Sequence, residues 1–187
     1  MINIKLKDIE MQFETEATVF SPSNADKGTL AMLSQVEFSK EDKVLDLGCG
    51  YGLVGIFAAK LIGADRVYMS DINKTSLDLA KVNIELNDTS GIKLYESNGF
   101  KGIDEKDFTL ILSNPPYHVD FSVPKEFIEK GFNRLVLGGK LVMVTKRKDW
   151  YKNKIIAIFG GVRIIEIEGY YVFIGEKRSG VYASKKV

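Results

Sequence analysis

A chain of 187 residues with 45% hydrophobic content has the size of one globular domain, and such a domain buries about 70% of the surface that its unfolded chain exposes. A net charge of +1 makes no case for a strongly nucleic-acid-binding surface as a whole and leaves room for a local basic patch. The single cysteine excludes an internal disulfide, and with a single histidine it gives no zinc cluster, so we expect no metal. Because the sequence shows no long apolar run and no leader pattern, we expect no membrane association and a cytoplasmic location.

The first twenty residues predict a β-hairpin. Apolar and polar side chains alternate over residues 2–6, an acidic turn follows near residues 8–10, and Met11 and Phe13 resume the alternation. We therefore expect two short antiparallel strands ahead of the main fold.

Residues 20–29 are rich in turn formers, and apolar residues at helical spacing then predict a helix over 30–36. From Lys43 onward, predicted strands and helices alternate. The strands are expected at 43–47, 66–71, 93–96, 108–113 and 140–145, and the helices at 51–62, 74–87, 124–137 and 149–159. Such alternation predicts an α/β fold with one doubly wound, mostly parallel sheet that carries helices on both faces.

Proline and glycine residues mark the expected boundaries of the later elements. Pro124 lies near the start of its helix, where its missing N–H is harmless, and Gly138 and Gly139 are expected to end that helix. Two apolar runs, 162–167 and 170–174, flank a short polar turn and predict a C-terminal hairpin.

Glycines at alternate positions, Gly48, Gly50 and Gly52, connect the first predicted strand of the sheet to its helix. Glycine lets the backbone approach a bound molecule closely. The spacing is neither that of a dinucleotide fingerprint nor that of a Walker loop. Asp46, just before the turn, would repel a pyrophosphate and suit a cationic amine. We therefore expect a zwitterionic ligand at this turn.

Asp71 ends the next predicted strand, where a doubly wound fold places the residue that hydrogen-bonds a ribose. A carboxylate suits this role because its two oxygens accept two hydrogen bonds in parallel. Together with Asp46 at the glycine turn, it predicts a ligand that carries both an amine and a ribose.

These motifs, followed by the run Asn114-Pro115-Pro116-Tyr117, resemble the class I S-adenosylmethionine-dependent methyltransferases. Within that class, the chain is similar to the small-domain group that includes the 16S ribosomal RNA guanine-N2 methyltransferases. The resemblance implies S-adenosylmethionine as the cofactor and a seven-stranded, Rossmann-like sheet with one antiparallel strand inserted. It also implies a single methyltransferase domain over 1–187, with an N-terminal hairpin extension over 1–20 and a catalytic core over 21–187.

The resemblance assigns cofactor-binding roles around the glycine turn. Asp46 would bind the methionine amino group, directly or through water, and Asp71 would bind both ribose hydroxyls. We interpret Cys49 as a wall residue, since no histidine is free to activate it as a nucleophile. Asn98 would read the adenine edge, or serve only as a turn residue. The residues expected to bind the cofactor are Phe20, Gly28, Thr29, Asp46, Gly48, Cys49, Gly50, Gly52, Asp71, Ile72, Asn98 and Gly99.

The expected reaction site is the run that begins at Asn114. Its two prolines fix φ and remove two N–H donors, so that the backbone offers carbonyls in a fixed geometry. The Asn114 side-chain oxygen and the Pro115 carbonyl would accept the two hydrogens of an exocyclic amine, and would favour the charge that develops on nitrogen. Tyr117 would stack on the flat group that carries this amine.

The leading hypothesis for the substrate is guanine N2 in ribosomal RNA, with ribosomal RNA or the small ribosomal subunit as the partner. His118, Lys146 and Lys148 would contact this substrate, although a solvated cationic cluster and a loop histidine without function are the alternatives. A release-factor glutamine-amide methyltransferase and a non-catalytic cofactor-binding module remain open as other functions. The sequence makes no prediction of the oligomeric state.

Overall fold

A computed structural model describes residues 1–16, 25–117 and 119–185 of the chain. The strands are β1 (Ile2–Leu6), β2 (Ile9–Phe13), β3 (Val44–Leu47), β4 (Val67–Asp71), β5 (Lys93–Glu96), β6 (Phe108–Ser113), β7 (Leu135–Thr145), β8 (Arg163–Ile167) and β9 (Tyr170–Glu176). The helices are α1 (Lys27–Ser34), α2 (Leu53–Ile62), α3 (Lys74–Leu86), α4 (Ser122–Arg134) and α5 (Lys148–Phe159), with short 3₁₀ turns at Ala64–Arg66 and Ala183–Lys185.

Seven of the strands form one sheet in the order β5-β4-β3-β6-β7-β9-β8. Strands β3 to β7 run parallel, while β9 is antiparallel to both of its neighbours. The order in which strands are added to the sheet reverses between β3 and β6. A crevice opens outside the carboxyl ends of strands at such a point. The predicted fold is thus confirmed, including the antiparallel strand inserted near the edge of the sheet.

Both faces of the sheet are covered, which explains the nearly continuous apolar character of its central strands. Val44 of β3 packs into a core formed with α1, α2 and α3, whereas the next residue, Leu45, packs into a second core with α4 and α5. Both side chains are fully buried. The two cores fix β3 in position, and with it the turn that follows.

The boundary between α4 and β7 differs from the prediction, which extended the helix over 124–137 and ended it at the glycine pair. The helix ends at Arg134, and both glycines lie inside β7. Leu135 already pairs with Phe108 of β6, and the register then shifts. Gly138 adopts φ +81° in this irregular stretch, and its N–H donates to the carbonyl of Lys177 over 2.7 Å. A glycine pair is compatible with a bulge in a strand as well as with the end of a helix. Here the pairing with the sheet places the two glycines in a strand.

The predicted N-terminal hairpin is present as β1 and β2, with its tight turn at Lys7 and Asp8 rather than at residues 8–10. Side chains of α3 attach the hairpin to the core. Asn83 donates to the carbonyls of Glu14 and Tyr51, at 3.1 and 2.9 Å, and accepts from the Glu14 N–H at 2.7 Å. One turn later, Asn87 makes a reciprocal pair with the backbone of Gln12. The two asparagines therefore bond the backbone of β2 and of the residue directly after it, much as a neighbouring strand would.

Replacing Asn83 by alanine should lower the free energy of unfolding by about 2–3 kcal/mol, because three hydrogen bonds of a fully buried amide are lost and their backbone partners remain. Urea denaturation would measure this change. Asn3, an exposed residue of β1, provides the matched control, where alanine should change stability by less than about 0.5 kcal/mol. Equal effects of the two substitutions would contradict the role of Asn83.

Candidate active site

A cavity of about 640 Å³ lies at the carboxyl ends of β3, β4 and β6, where the strand order reverses. Its volume is in the range of small-molecule sites. Residues that were predicted to bind a cofactor or an amine come together in its wall: Thr29, Asp46, Gly48, Cys49, Gly50, Asp71, Ile72, Asn98, Gly99 and Asn114.

The glycine turn forms one side of this cavity. Gly48 and Gly50 have φ of +76° and +56°, and a Cβ atom on either would meet no atom within 4 Å, so both face open space. Gly52 has a different role, since its Cβ would lie 2.9 Å from the Met69 methyl group. Ser70 accepts hydrogen bonds from the N–H groups of Gly48 and Cys49 through its carbonyl. Two of the three glycines thus leave room for a ligand.

Asp71, the residue expected to bind a ribose, is hydrogen-bonded to the glycine turn. Its Oδ2 accepts from the Gly50 N–H at 2.8 Å, and its Oδ1 accepts from the Asn73 N–H at 2.9 Å. A carboxylate oxygen can accept more than one hydrogen bond, so each oxygen retains capacity for a ligand hydroxyl. The same side chain therefore shapes the turn and faces the cavity.

Asp46 is a buried carboxylate, and none of the ion pairs formed by the described residues includes it. Its Oδ2 accepts from the Gly55 N–H at 2.9 Å. Burial raises the pKa of Asp46 to about 7; the Gly55 bond opposes this rise, and the charge of Asp71 adds to it. A ligand cation at this position would supply the missing counter-charge.

Sequence reasoning did not identify Gly55, which holds Asp46 from inside α2. A Cβ atom at this position would collide with Met69 of β4 and approach the Asp46 carboxylate. Glycine in the interior of a helix is otherwise unfavourable. A glycine inside a predicted helix was therefore the feature of the sequence that could have indicated a close contact at this position.

The raised pKa of Asp46 predicts a pH-dependent affinity. Below pH 7 the folded protein holds a proton on this carboxyl, and a cationic ligand must displace it. S-adenosylmethionine, the ligand expected from the sequence, should therefore bind up to about tenfold more tightly with each rise of one pH unit between about pH 5 and 7. Without ligand, this group's contribution to stability is largest at low pH and falls as the pH rises from 3.8 through about 7. Calorimetric titration across this range would measure the affinity. Asp46→Asn should abolish the slope, and a flat wild-type profile would contradict the prediction.

Asn114 follows β6 and is oriented by α1. Its Nδ2 donates to Asp26 Oδ1 at 2.7 Å and to Thr29 Oγ1 at 2.9 Å. An ionised carboxylate only accepts, so the amide nitrogen must face Asp26 and the amide oxygen must face the other way. That oxygen, Asn114 Oδ1, is buried and has no hydrogen-bond partner among the described residues. The site therefore contains an oriented acceptor.

Asp26 was not identified from the sequence, although residues around it were. It caps α1, with Oδ1 accepting from the Thr29 N–H at 2.8 Å, and the same oxygen holds Asn114. Thr29 lines the cavity as expected, whereas the described lining does not include Gly28. A Cβ atom on Gly28 would lie 2.9 Å from the Tyr170 ring, so this glycine permits close packing of α1 on β9. The predicted wall residue Phe20 lies outside the described residues.

The remaining residues of the predicted reaction run lie beside Asn114. Pro116 lines the cavity, whereas Pro115 is buried and is not among its described lining residues. Burial raises the pKa of Tyr117 above its usual value, with the Asp26 charge as the next cause, so its phenol stays neutral. His118 lies outside the described residues.

Cys49 lines the cavity as a wall residue. Burial, together with the charges of Asp46 and Asp71, raises the pKa of its thiol well above the usual value. The nucleophilic form of cysteine is the thiolate, which this environment disfavours.

Lys146 and Lys148, the other predicted substrate contacts, are exposed at the carboxyl end of β7 and do not line the cavity. Their Nζ atoms lie over the rings of Tyr170 and Tyr171, 4.9 and 5.3 Å from the ring centroids. Among residues 1–16, 25–117 and 119–185, no group of three metal-ligating side chains is assembled, and no helix is long and apolar enough to cross a bilayer.

The chain is similar to known proteins over most of its length. The chain is 32% identical over 165 residues to the ribosomal RNA small subunit methyltransferase C of Psychromonas ingrahamii, covering 86% of this chain and 47% of that protein. It is 28% identical over 181 residues to the uncharacterized protein YbxB of Bacillus subtilis, with 94% of this chain and 90% of that protein covered.

Among solved structures, the chain resembles the T. thermophilus 16S rRNA N2 methyltransferase in complex with AdoMet and guanosine. The TM-score is 0.82 at 25% identity, covering 95% of this chain and 50% of that one. The chain thus spans about half the length of the ribosomal RNA methyltransferases named here.

The predicted cofactor is confirmed as S-adenosylmethionine. The open space at Gly48 and Gly50 fits its methionine end, which would lie close to the backbone. The buried Asp46 carboxylate fits its cationic amine, and the acceptors of Asp71 fit its ribose. The model of the methyltransferase small domain matches residues 10–174, and the chain belongs to this family of methyltransferases.

Proposed function

We propose that this protein transfers the methyl group of S-adenosylmethionine to the exocyclic N2 amine of guanine in ribosomal RNA. The observation that carries the proposal is Asn114 Oδ1, a buried acceptor at the cavity with no partner among the described residues. An acceptor held in this way suits an N–H donor of a substrate, since an unpaired buried oxygen is unfavourable. Two ribosomal RNA methyltransferases among the similar proteins support RNA as the carrier of that amine.

The residues of the site would act mainly by positioning. A guanine amine is a weak nucleophile because its lone pair is delocalised into the ring. Asn114 Oδ1 and the Pro115 carbonyl would hold its two hydrogens and stabilise the positive charge that grows on nitrogen. When bound, S-adenosylmethionine supplies a methyl group on a sulfonium, which needs no further activation; S-adenosylhomocysteine leaves, and the methylated amine loses one proton to solvent. The site therefore requires orientation and exclusion of water more than a strong base.

Tyr117 would stack on the guanine ring without acting as a base. Its raised pKa keeps the phenol neutral, and a neutral aromatic ring next to the prolines suits a flat group. A guanine inside a duplex cannot enter the cavity, so the target must be unpaired or turned out of its stack. The protein would therefore act on loops or on incompletely assembled RNA.

Transfer of radiolabelled methyl from S-adenosylmethionine tests the proposal. The acceptors are small and large ribosomal subunits, the naked RNA of each, and release factors, and the methylated nucleoside is identified by digestion and chromatography. We expect label in N2-methylguanosine of ribosomal RNA. Label in glutamine of a release factor, or in a different nucleoside, would reject the proposed substrate. Absence of label from every acceptor, with S-adenosylmethionine bound, would reject the enzymatic function.

A further inference from the structure

An aromatic pair lies beside the reaction site, and no step proposed above uses it. Phe121, directly before α4, and Trp150, in the first turn of α5, have ring centroids 4.4 Å apart and planes within 16° of parallel. The guanidinium carbon of Arg147 lies 5.0 Å from the Phe121 ring centroid. Phe121 is 37% exposed, so part of its side chain is open to solvent. We refer to Phe121, Arg147 and Trp150 as the aromatic stack.

The aromatic stack adjoins the cavity. Val119 and Val123, on either side of Phe121 in the chain, both line the cavity. Phe121 is therefore two residues in sequence from each of these wall residues. A ligand that fills the cavity and extends outward on this side would meet Phe121. The stack is thus placed to contact a neighbour of the reacting group rather than the group itself.

Three consecutive cations lie shortly before Trp150 in the chain. Lys146, Arg147 and Lys148 are exposed, and none of them takes part in an ion pair formed within the described part of the chain. Asp120 and Asp149 are also exposed nearby, and Asp120 accepts from the Ser122 N–H at 2.7 Å. The positive charge of this surface is therefore moderate, so that a ligand bound here needs more than charge for its affinity.

We propose that the aromatic stack binds a base next to the target nucleotide in an unpaired segment of RNA, while Lys146 and Lys148 contact the phosphates of that segment. This inference rests on the proposed function. Stacking accepts any base, because every base has a flat π-face, and an arginine guanidinium can stack as well. Three cations without acidic partners in the described part of the chain suit a polyanion better than the neutral amide of a protein substrate. An RNA duplex is excluded because its base faces are covered.

Trp150 gives a direct readout, because it is the only tryptophan in the chain. The full chain is titrated with a short single-stranded oligoribonucleotide that carries one guanosine among uridines, and with the same sequence in a duplex. We expect saturable quenching of tryptophan fluorescence by the single strand and little quenching by the duplex. This titration needs no turnover, so it is independent of whether methyl transfer occurs.

Variants separate stacking from simple apolar contact. Phe121→Ala should raise the Kd for the single strand by about 5- to 150-fold, as expected from the loss of one stacked base. Phe121→Leu keeps an apolar side chain without a π-face, and should weaken binding nearly as much. Thermal unfolding shows that each variant is folded, and the affinity for S-adenosylmethionine should stay unchanged because Phe121 does not line the cavity.

Salt dependence tests the lysines. Lys146→Gln and Lys148→Gln should each reduce the slope of log Kd against log salt by about 0.7, the value for one phosphate contact with a single strand. Lys152→Gln on the exposed side of α5 provides the control and should leave the slope unchanged.

Three results would overturn the inference. They are wild-type affinity of folded Phe121→Leu, equal quenching by duplex and single strand, and quenching by a release factor but not by RNA. If ribosomal RNA is methylated with an unchanged KM in Phe121→Ala, the stack is rejected and the proposed function stands. If no RNA is methylated while the single strand still quenches Trp150, the proposed function fails and RNA binding at the stack stands.

Discussion

Replacing Asn114 by alanine is expected to lower kcat for methyl transfer by about 10²- to 10³-fold or more, the range seen when one group that stabilises a developing charge is removed. Asn114 Oδ1 is the oriented acceptor of the site, and alanine leaves no side-chain oxygen there. The affinity for S-adenosylmethionine should change little, because Asp46, Asp71 and the glycine turn remain. Single-turnover kinetics and calorimetry measure the two quantities separately. An active variant, or one that loses cofactor binding, would reject the assigned role.

Asp26 provides a matched test of the same arrangement. Asn caps a helix about as well as Asp, so Asp26→Asn should preserve α1 while removing the charge that fixes the Asn114 amide. We expect kcat to fall by about tenfold with an unchanged melting temperature, since about one charged hydrogen bond is weakened. Asp26→Ala should also lose the cap and about 1 kcal/mol of stability. If Asp26→Asn retains full kcat, Asp26 only caps the helix.

Replacing Asp71 by alanine should produce the second large effect, a rise in the Kd for S-adenosylmethionine by at least about 5- to 150-fold, which corresponds to 1–3 kcal/mol. Two contributions add. Ribose hydroxyls lose their acceptors, and the N–H groups of Gly50 and Asn73 lose theirs. The turn that faces the cavity is then no longer held.

The measurement is Kd together with kcat at saturating cofactor. Asp71→Asn, which retains one oxygen acceptor, should lie between wild type and alanine. Asp78→Ala, at an exposed position of α3 where the side chain pairs with Lys81, provides the control and should leave both values unchanged. A normal Kd for the Asp71→Ala variant would exclude this residue as the ribose ligand.

The residues found from the sequence carry local signals. Asp46, the glycines and Asp71 stand at predicted strand ends, and parallel strands bring their carboxyl ends to one edge, so their meeting at the cavity follows from order along the chain. Asn114 follows the same rule after β6. Fold and cavity were thus accessible because each depends on short patterns in a regular topology.

The residues missed depend on distant contacts. Asp26 resembles any helix cap until Asn114, 88 residues later, is placed on its carboxylate. The end of α4 was misplaced because the pairing of Leu135 with Phe108 and of Gly138 with Lys177 overrides the glycine signal. Asn83 sits in α3 like any polar residue, and only the folded hairpin shows its partners. Such roles are set by tertiary structure, which local patterns do not encode.

The position of β9 between β7 and β8 constrains how the molecule can assemble. Until Tyr170–Glu176 has been synthesised, β7 presents an unpaired strand edge and β8 has no neighbour in the sheet. Exposed edges of this kind invite pairing with other chains. A nascent or truncated chain that stops before Tyr170 would therefore be prone to aggregation even though the cofactor cavity, built from β3, β4 and β6, is already encoded in it.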